Sequence, residues 1–191
     1  YQHQPHSYGQ LYELIFAGLR NAKLNILECG IGTIDTETPS NMGSHGCPGA
    51  SLRAWRDYFS SASIYGFDVD PGCLFQEQRI TTCQADQLDP QSVRAMWNQW
   101  GSPSFDIIID DGLHTADAAL SLLNTARNFM TNGGIYIIED MTPVDLPKID
   151  KALMSMRINY HLYSYLRQAD ESSAPRVDDN NIIVIHLPPA K

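Results

Sequence analysis

Two segments constrain this chain most: FDIIID at 105–110 and GGIYIIED at 133–140. Each is a near-continuous apolar, β-branched run that ends in carboxylates. Successive apolar residues put side chains on both faces of a strand, so both faces must be covered. That pattern belongs to central strands of a parallel sheet flanked by helices. The rest of the chain supplies the flanks. Residues 7–22 carry Leu11, Leu14, Ile15 and Leu19 at helical spacing, and 49–62 put Leu52, Trp55 and Phe59 on one stripe. A helix starts near 89, with Asp89 as N-cap and Pro90 in the first turn. Further helices are expected over 116–130 and 145–156, and further strands over 23–29, 63–70 and 79–86. Such alternation predicts an α/β, doubly wound, mostly parallel sheet. Segments 159–168 and 180–187 are strand patterns joined only by the polar stretch 169–179, which predicts an antiparallel C-terminal hairpin at one edge. The expectation is a Rossmann-like sheet of seven strands in a single domain over 1–191, without repeats or linkers.

A chain of 191 residues, 43% of them hydrophobic, can bury one sizeable core. Its 13 basic and 22 acidic residues give a net charge of −9, which argues against a nucleic-acid partner. A small neutral or cationic substrate fits better. No run reaches the roughly 18 apolar residues of a membrane span, and no signal-peptide pattern opens the chain. No membrane contact and a cytoplasmic location are therefore expected. The first residue is Tyr1 rather than Met, so residues can precede it. Cys29, Cys47, Cys73 and Cys83 form no CxxC pair and join no His cluster, so reduced thiols are expected and zinc is not.

The strand ILECGIGT (26–33) runs into glycines, which let a cofactor approach the backbone closely. Gly30 and Gly32 begin a GxGxxG pattern, but position 35 is Asp35. By itself this also describes an ordinary strand-to-loop turn. Glu28 stands at the same strand tip. Asp68 ends the next strand, where an acid commonly takes two ribose hydroxyls. It comes 36 residues after Gly32 rather than about 20, because TIDTETPSNMGSHGCPGA (33–50) is inserted. Loops of this length are uncommon unless functional or disordered. Beside the glycines, this one is expected either to fold over the cofactor or to be simply mobile. Asp86, at the third strand tip, suits an exocyclic adenine amine and, nearly as well, a helix N-cap or a surface position. The tips of FDIIIDD and GGIYIIED should bring Asp110, Asp111, Glu139 and Asp140 together. Bare carboxylates repel, and a hard divalent cation (Mg²⁺, Mn²⁺ or Ca²⁺) relieves them. His114 then stands beside the metal.

The series LECGIGT, IYGFDVDP, ADQLD, FDIIIDDGLH and GGIYIIED resembles the class I S-adenosylmethionine-dependent methyltransferases. More narrowly, PGASLRAWRDYF before IYGFDVDP, with DDGLH and YIIED, resembles the metal-dependent sugar O-methyltransferases of macrolide biosynthesis. These are of the mycinamicin and macrocin O-methyltransferase type, and cephalosporin-hydroxylase-like proteins look similar. The resemblance covers roughly residues 24–145. It implies S-adenosyl-L-methionine as cofactor, Mg²⁺ holding two neighbouring acceptor hydroxyls, and a small-molecule acceptor, a sugar or glycoside of natural product biosynthesis. Carried over by motif, Asp111, Glu139 and Asp140 are the metal ligands and His114 is the base. Gly30, Gly32 and Asp68 match the cofactor positions, with Glu28, Ser51, Asp86 and Asp110 assigned to the same set. The family's enzymes carry an extra N-terminal region that shapes assembly and the acceptor site. This chain is little more than their catalytic core, which leaves the acceptor and any homo-oligomer open. Two rivals remain. A nicotinamide-dependent oxidoreductase is disfavoured by the incomplete GxGxxG and the late acid. A non-catalytic methyltransferase-like binding subunit is disfavoured by the retained acids and histidine.

Overall fold

The computed structural model describes residues 8–165 and 180–188. The chain enters as helix α1 (Gly9–Phe16) and strand β1 (Asn25–Cys29), followed by α2 (Ala50–Tyr58) and β2 (Ser63–Asp68). Next come β3 (Gln76–Glu77), β4 (Ile80–Gln84), α3 (Pro90–Gln99) and β5 (Phe105–Asp110). It closes with α4 (Ala116–Ala126), β6 (Met130–Ile138), α5 (Leu146–Ser155), β7 (Tyr160–Ser164) and β8 (Asn181–His186). All eight strands form one sheet in the order β3-β4-β2-β1-β5-β6-β8-β7. Its centre is parallel, and the β3–β4, β6–β8 and β7–β8 pairs are antiparallel. The C-terminal hairpin forms an edge as expected, although the polar stretch 169–179 lies outside the described residues.

Both faces are buried. On one, Phe16 of α1 and Leu52 of α2 pack against Ile26, Ile64 and Ile107. On the other, Val93 of α3, Leu122 of α4 and Ile149 of α5 cover Leu27, Ile108 and Tyr136. Strand order reverses at β1, with β2 on one side and β5 on the other. Ligands of open α/β sheets bind beyond the strand ends at such a switch point. Register lines up the tips there: Cys29 pairs with Asp110, and Asp110 with Ile138.

The helices expected over 7–22 and 116–130 end early, at Phe16 and Ala126, each followed by a 3-10 turn, and two further elements depart from the sequence expectation. An eighth strand appears, the two-residue β3 that turns back on β4. The helix expected over 49–62 stops at Tyr58, where Phe59 becomes extended (φ −98°, ψ 97°) and drops fully into the core. Among the described residues no helix is long and apolar enough to cross a membrane, and all four cysteines are free thiols.

Candidate active site

β1 runs out at Cys29 into the turn Gly30–Ile31–Gly32. Gly30 has φ +80°, and a Cβ there would lie 2.0 Å from the carbonyl oxygen of Asp111. Only glycine lets the two strand tips come this close. Asp68 ties the turn down: its Oδ2 accepts the Ile31 N–H at 2.9 Å and its Oδ1 the Asp70 N–H at 3.0 Å. The acid expected to serve ribose hydroxyls thus first fixes the glycine turn. A carboxylate has about four acceptor positions, so it can do both.

The insertion folds back over this turn. Met42 N–H donates to Thr33 at 2.9 Å, Gly49 N–H donates to Ile31 at 2.7 Å, and the Met42 thioether packs on Gly32. A cavity of about 690 Å³ results, walled by Gly30, Gly32, Met42, Asp68, Asp86 and His114 among others. Asp86 is exposed at the cavity wall and its Oδ1 accepts the Leu88 N–H at 2.8 Å in the turn before α3, whose N-cap is Asp89.

At the tips of β5 and β6 the acids separate by strand alternation. Asp110 follows Ile108 onto the α3–α4 face, is 2% exposed, and accepts from Gln87 Nε2 at 2.5 Å and Tyr136 Oη at 3.3 Å. It neither joins the other acids nor lines the cavity, which corrects the expectation for it; consecutive strand residues point to opposite faces. Burial pushes its carboxyl up to about 6. Asp111, His114 and Asp140 do converge, each offering a ligand atom within 4.8 Å of the others. Glu139 stands outside that trio and accepts the Tyr12 hydroxyl, while Asp140 Oδ1 accepts the Tyr8 hydroxyl at 2.7 Å. Glu28 also sits off the main cavity. It is 1% exposed and accepts from Ser51 Oγ and, at 2.6 Å, from Trp55 Nε1. Burial pushes it up to about 7 against those two hydrogen bonds. Ser51, assigned to the cofactor, lines the cavity but gives its hydroxyl to Glu28.

Asp111 borders both the main cavity and a second one of about 260 Å³ that Glu28, Trp55, Tyr12 and Glu139 help to wall. Its side chain is 35% exposed. Burial still dominates, and with the charges of Asp140, Glu28 and Asp110 it holds the Asp111 carboxyl well above the usual range. Glu139 is raised by burial and then by Asp111. Among the described residues no Lys or Arg pairs with Asp111 or Glu139. Such an anionic, oxygen-rich set fits a hard divalent cation.

His114 Nε2 lies 3.1 Å from Asp111 Oδ1 and Nδ1 lies 3.2 Å from Ser40 Oγ. The tautomer with the proton on Nε2 donates to Asp111 and leaves Nδ1 to accept from Ser40. Ser40, His114 and Asp140 have φ of +58°, +59° and +55°, three of the six non-glycine residues with positive φ among those described. Gln87 braces this region: its Oε1 accepts the Leu113 N–H at 3.0 Å while its amide holds Asp110.

Gln87, Ser40, Trp55, Tyr8 and Tyr12 were not singled out for the site by sequence reasoning. The tyrosines carried a signal, since residues four apart share a helix face. Gln87 had only its place after Asp86. Burial and then the adjacent carboxylates raise both tyrosines above their ordinary value, so the phenols remain O–H donors.

No family model matches the chain. It is 37% identical over 136 residues to 8-demethyl-8-(2-methoxy-alpha-L-rhamnosyl)-tetracenomycin-C 3'-O-methyltransferase of Streptomyces olivaceus, covering 71% of this chain and 32% of that protein. It is 34% identical over 130 residues to demethylmacrocin O-methyltransferase of Streptomyces fradiae, covering 68% and 30%. Against mycinamicin VI 2''-O-methyltransferase of Micromonospora griseorubida it is 28% identical, covering 92% and 44%. Among solved structures, the MycE methyltransferase of the mycinamycin biosynthetic pathway, in complex with Mg, SAH and mycinamycin VI, superposes with a TM-score of 0.72. That pair is 23% identical and covers 95% of this chain and 49% of the other. The chain thus spans about a third of the length of the first curated relatives (33% and 32%) and about half of the solved one. Sequence and fold together place the chain among the class I S-adenosylmethionine-dependent methyltransferases, as a relative of the sugar O-methyltransferases.

Proposed function

We propose that this domain transfers a methyl group from S-adenosyl-L-methionine to a hydroxyl of a sugar or glycosylated small molecule, assisted by Mg²⁺ or a similar divalent cation. The observation that carries the reading is the convergence of Asp111, His114 and Asp140 beside a cavity that opens on the glycine turn. The relatives' names support it, since they specify O-methyl transfer to rhamnosyl tetracenomycin and to mycinamicin VI. The Mg and SAH in the solved MycE complex support the cofactor pair.

Gly30 and Gly32 would let the methyl donor approach the backbone, with Asp68 at its ribose end and Asp86 at its adenine end. Met42 and the rest of the insertion would exclude water from that cavity. Asp111 and Asp140, with Glu139 alongside, would hold the cation. A bound divalent cation supplies Lewis acidity toward an acceptor hydroxyl. The acceptor oxygen forms its bond to the methyl carbon as the carbon–sulfur bond breaks, and the hydroxyl proton passes to His114. In the tautomer with Nε2–H donated to Asp111, the receiving atom would be Nδ1, once the Ser40 hydroxyl turns its own hydrogen away from that nitrogen. General-base help of this kind is worth about 10²–10⁴-fold.

The test combines calorimetry and turnover. The protein is expected to bind S-adenosylhomocysteine, and to methylate a rhamnosylated acceptor only when Mg²⁺ or Mn²⁺ is present. His114→Ala is expected to lower the rate about 10²–10⁴-fold with cofactor affinity retained. Folded protein that gives no heat with the cofactor, or full turnover after exhaustive chelation, refutes the reading.

A further inference from the structure

Tyr8 and Tyr12 lie one helical turn apart at the start of α1, so their side chains share a face. Both are buried, at 3% and 9% exposure. Each gives its hydroxyl to one of two consecutive acids at the tip of β6: Tyr8 to Asp140 at 2.7 Å, and Tyr12 to Glu139. These contacts join positions 132 and 127 residues apart. The phenols are held firmly. Tyr12 stacks on Phe16 at 5.6 Å and meets the Trp55 edge at 4.9 Å, while Tyr8 packs against Tyr12 at 6.3 Å and Tyr165 at 5.7 Å. Packing alone would be served equally well by phenylalanine, as it is at Phe16. The hydroxyls therefore need another reason, and both end on carboxylates of the cation set.

We propose that Tyr8 and Tyr12 are positioning residues of the divalent-cation centre, by which α1 orients Asp140 and Glu139 from behind. The proposal rests on the metal-assisted reading above. Partners that orient a metal ligand from outside typically contribute 10–100-fold to metal affinity. A carboxylate without such a donor samples more rotamers and must be ordered when the cation binds. Because α1 supplies both donors, cation binding and the docking of α1 are coupled: each favours the other.

Tyr8→Phe/Tyr12→Phe keeps both rings and deletes only the two hydroxyls. Mn²⁺ affinity is measured by calorimetry and by electron paramagnetic resonance of free Mn²⁺, without acceptor, so the readout does not depend on turnover. The double variant is expected to bind Mn²⁺ about 10–100-fold more weakly. Tyr58→Phe, which removes an exposed phenol-to-Glu13 hydrogen bond of 2.8 Å elsewhere on α1 and α2, is expected to bind as the wild type does. Mn²⁺ is also expected to slow amide exchange in α1 of the wild type, and less so in the double variant. If the double variant does not fold, the single variants decide, each expected to lose about 3–10-fold. Wild-type protein that binds no Mn²⁺ overturns the metal reading itself. Wild type that binds, with Tyr→Phe variants that bind equally tightly, overturns this proposal alone.

Discussion

Gly30→Ala and Gly101→Ala form a matched pair that isolates what the close approach of the β1 and β5 tips requires. Both glycines have the same left-handed backbone, φ +80° and +79°. Gly101, beyond the end of α3, has nothing within 4 Å of a built Cβ. There an alanine meets only the left-handed penalty of about 1–2 kcal/mol, partly offset by about 0.4–1 kcal/mol from a stiffer unfolded chain. At Gly30 the same methyl would sit 2.0 Å from Asp111 O, 2.7 Å from Asp111 C and 2.9 Å from Gly112 Cα. All three are backbone atoms and cannot rotate away. Ordinary contact begins near 3.4 Å, so the tips must part by 3.4 − 2.0 = 1.4 Å. That movement strains the Asp111 N–H to Cys29 hydrogen bond of 3.0 Å. Overpacking adds about 1–3 kcal/mol, for a total of about 2–4 kcal/mol against about 1 kcal/mol at Gly101. In a chain of this size that lowers Tm by about 4–16 °C for Gly30→Ala and about 2–4 °C for Gly101→Ala. Urea and thermal melts of both variants measure it, with calorimetry of S-adenosylhomocysteine binding alongside. Gly30→Ala is expected to bind weakly and Gly101→Ala normally. Equal stabilities within about 0.5 kcal/mol, with equal binding, would show that the tips are not in fact pressed together.

Two other outcomes are expected. Glu28 has its folded-state value raised from 4.5 to about 7, so the native state keeps a proton that the unfolded chain loses across that window. Stability falls as pH rises from about 4.5 to about 7, by about 3 kcal/mol at about 1.4 kcal/mol per unit. Glu28→Gln, whose amide can still meet both Ser51 and Trp55, should flatten that slope in chelator-treated urea melts; an unchanged slope refutes the assignment. Gln87→Ala removes one of the hydrogen bonds to buried Asp110, leaving that from Tyr136, and strips the Leu113 N–H of its acceptor, with an expected cost of about 1–3 kcal/mol and weaker cofactor binding. Normal stability and affinity would mean the 111–114 turn holds itself.

The mostly parallel sheet, its edge hairpin and the location of the site were legible because they depend on patterns spread over many residues. The apolar runs 105–110 and 133–140 could only be central strands, and acids at their ends could only lie at the carboxyl edge. β3 escaped notice because two residues carry no periodicity. The helix end at Tyr58 was missed because tertiary packing of Phe59 overrides local propensity. The fate of Asp110 was legible and misjudged: alternation along a strand sends Asp110 and Asp111 to opposite faces, so both could not enter one cluster. Tyr8, Tyr12 and Gln87 are different in kind. Their roles are set by partners 132, 127 and 23 residues away, and no local pattern encodes such a pairing.

The backbone strain points to the same residues as the chemistry. Ser40, His114 and Asp140 each hold a left-handed conformation that costs on the order of 1–3 kcal/mol and persists only where surroundings enforce it. Here the surroundings can be named. Gln87 pins the turn before His114, Tyr8 pins Asp140, and the Ser40–His114 contact ties the insertion to the acid cluster. The insertion is thus joined to His114 on one side and packed on Gly32 through Met42 on the other. Met42, packed on Gly32, and Ser40, bonded to His114 Nδ1, are two residues apart in one short segment. A segment that reads in sequence as a plain polar loop is therefore the physical link between the cavity at the glycine turn and the imidazole beside the acids.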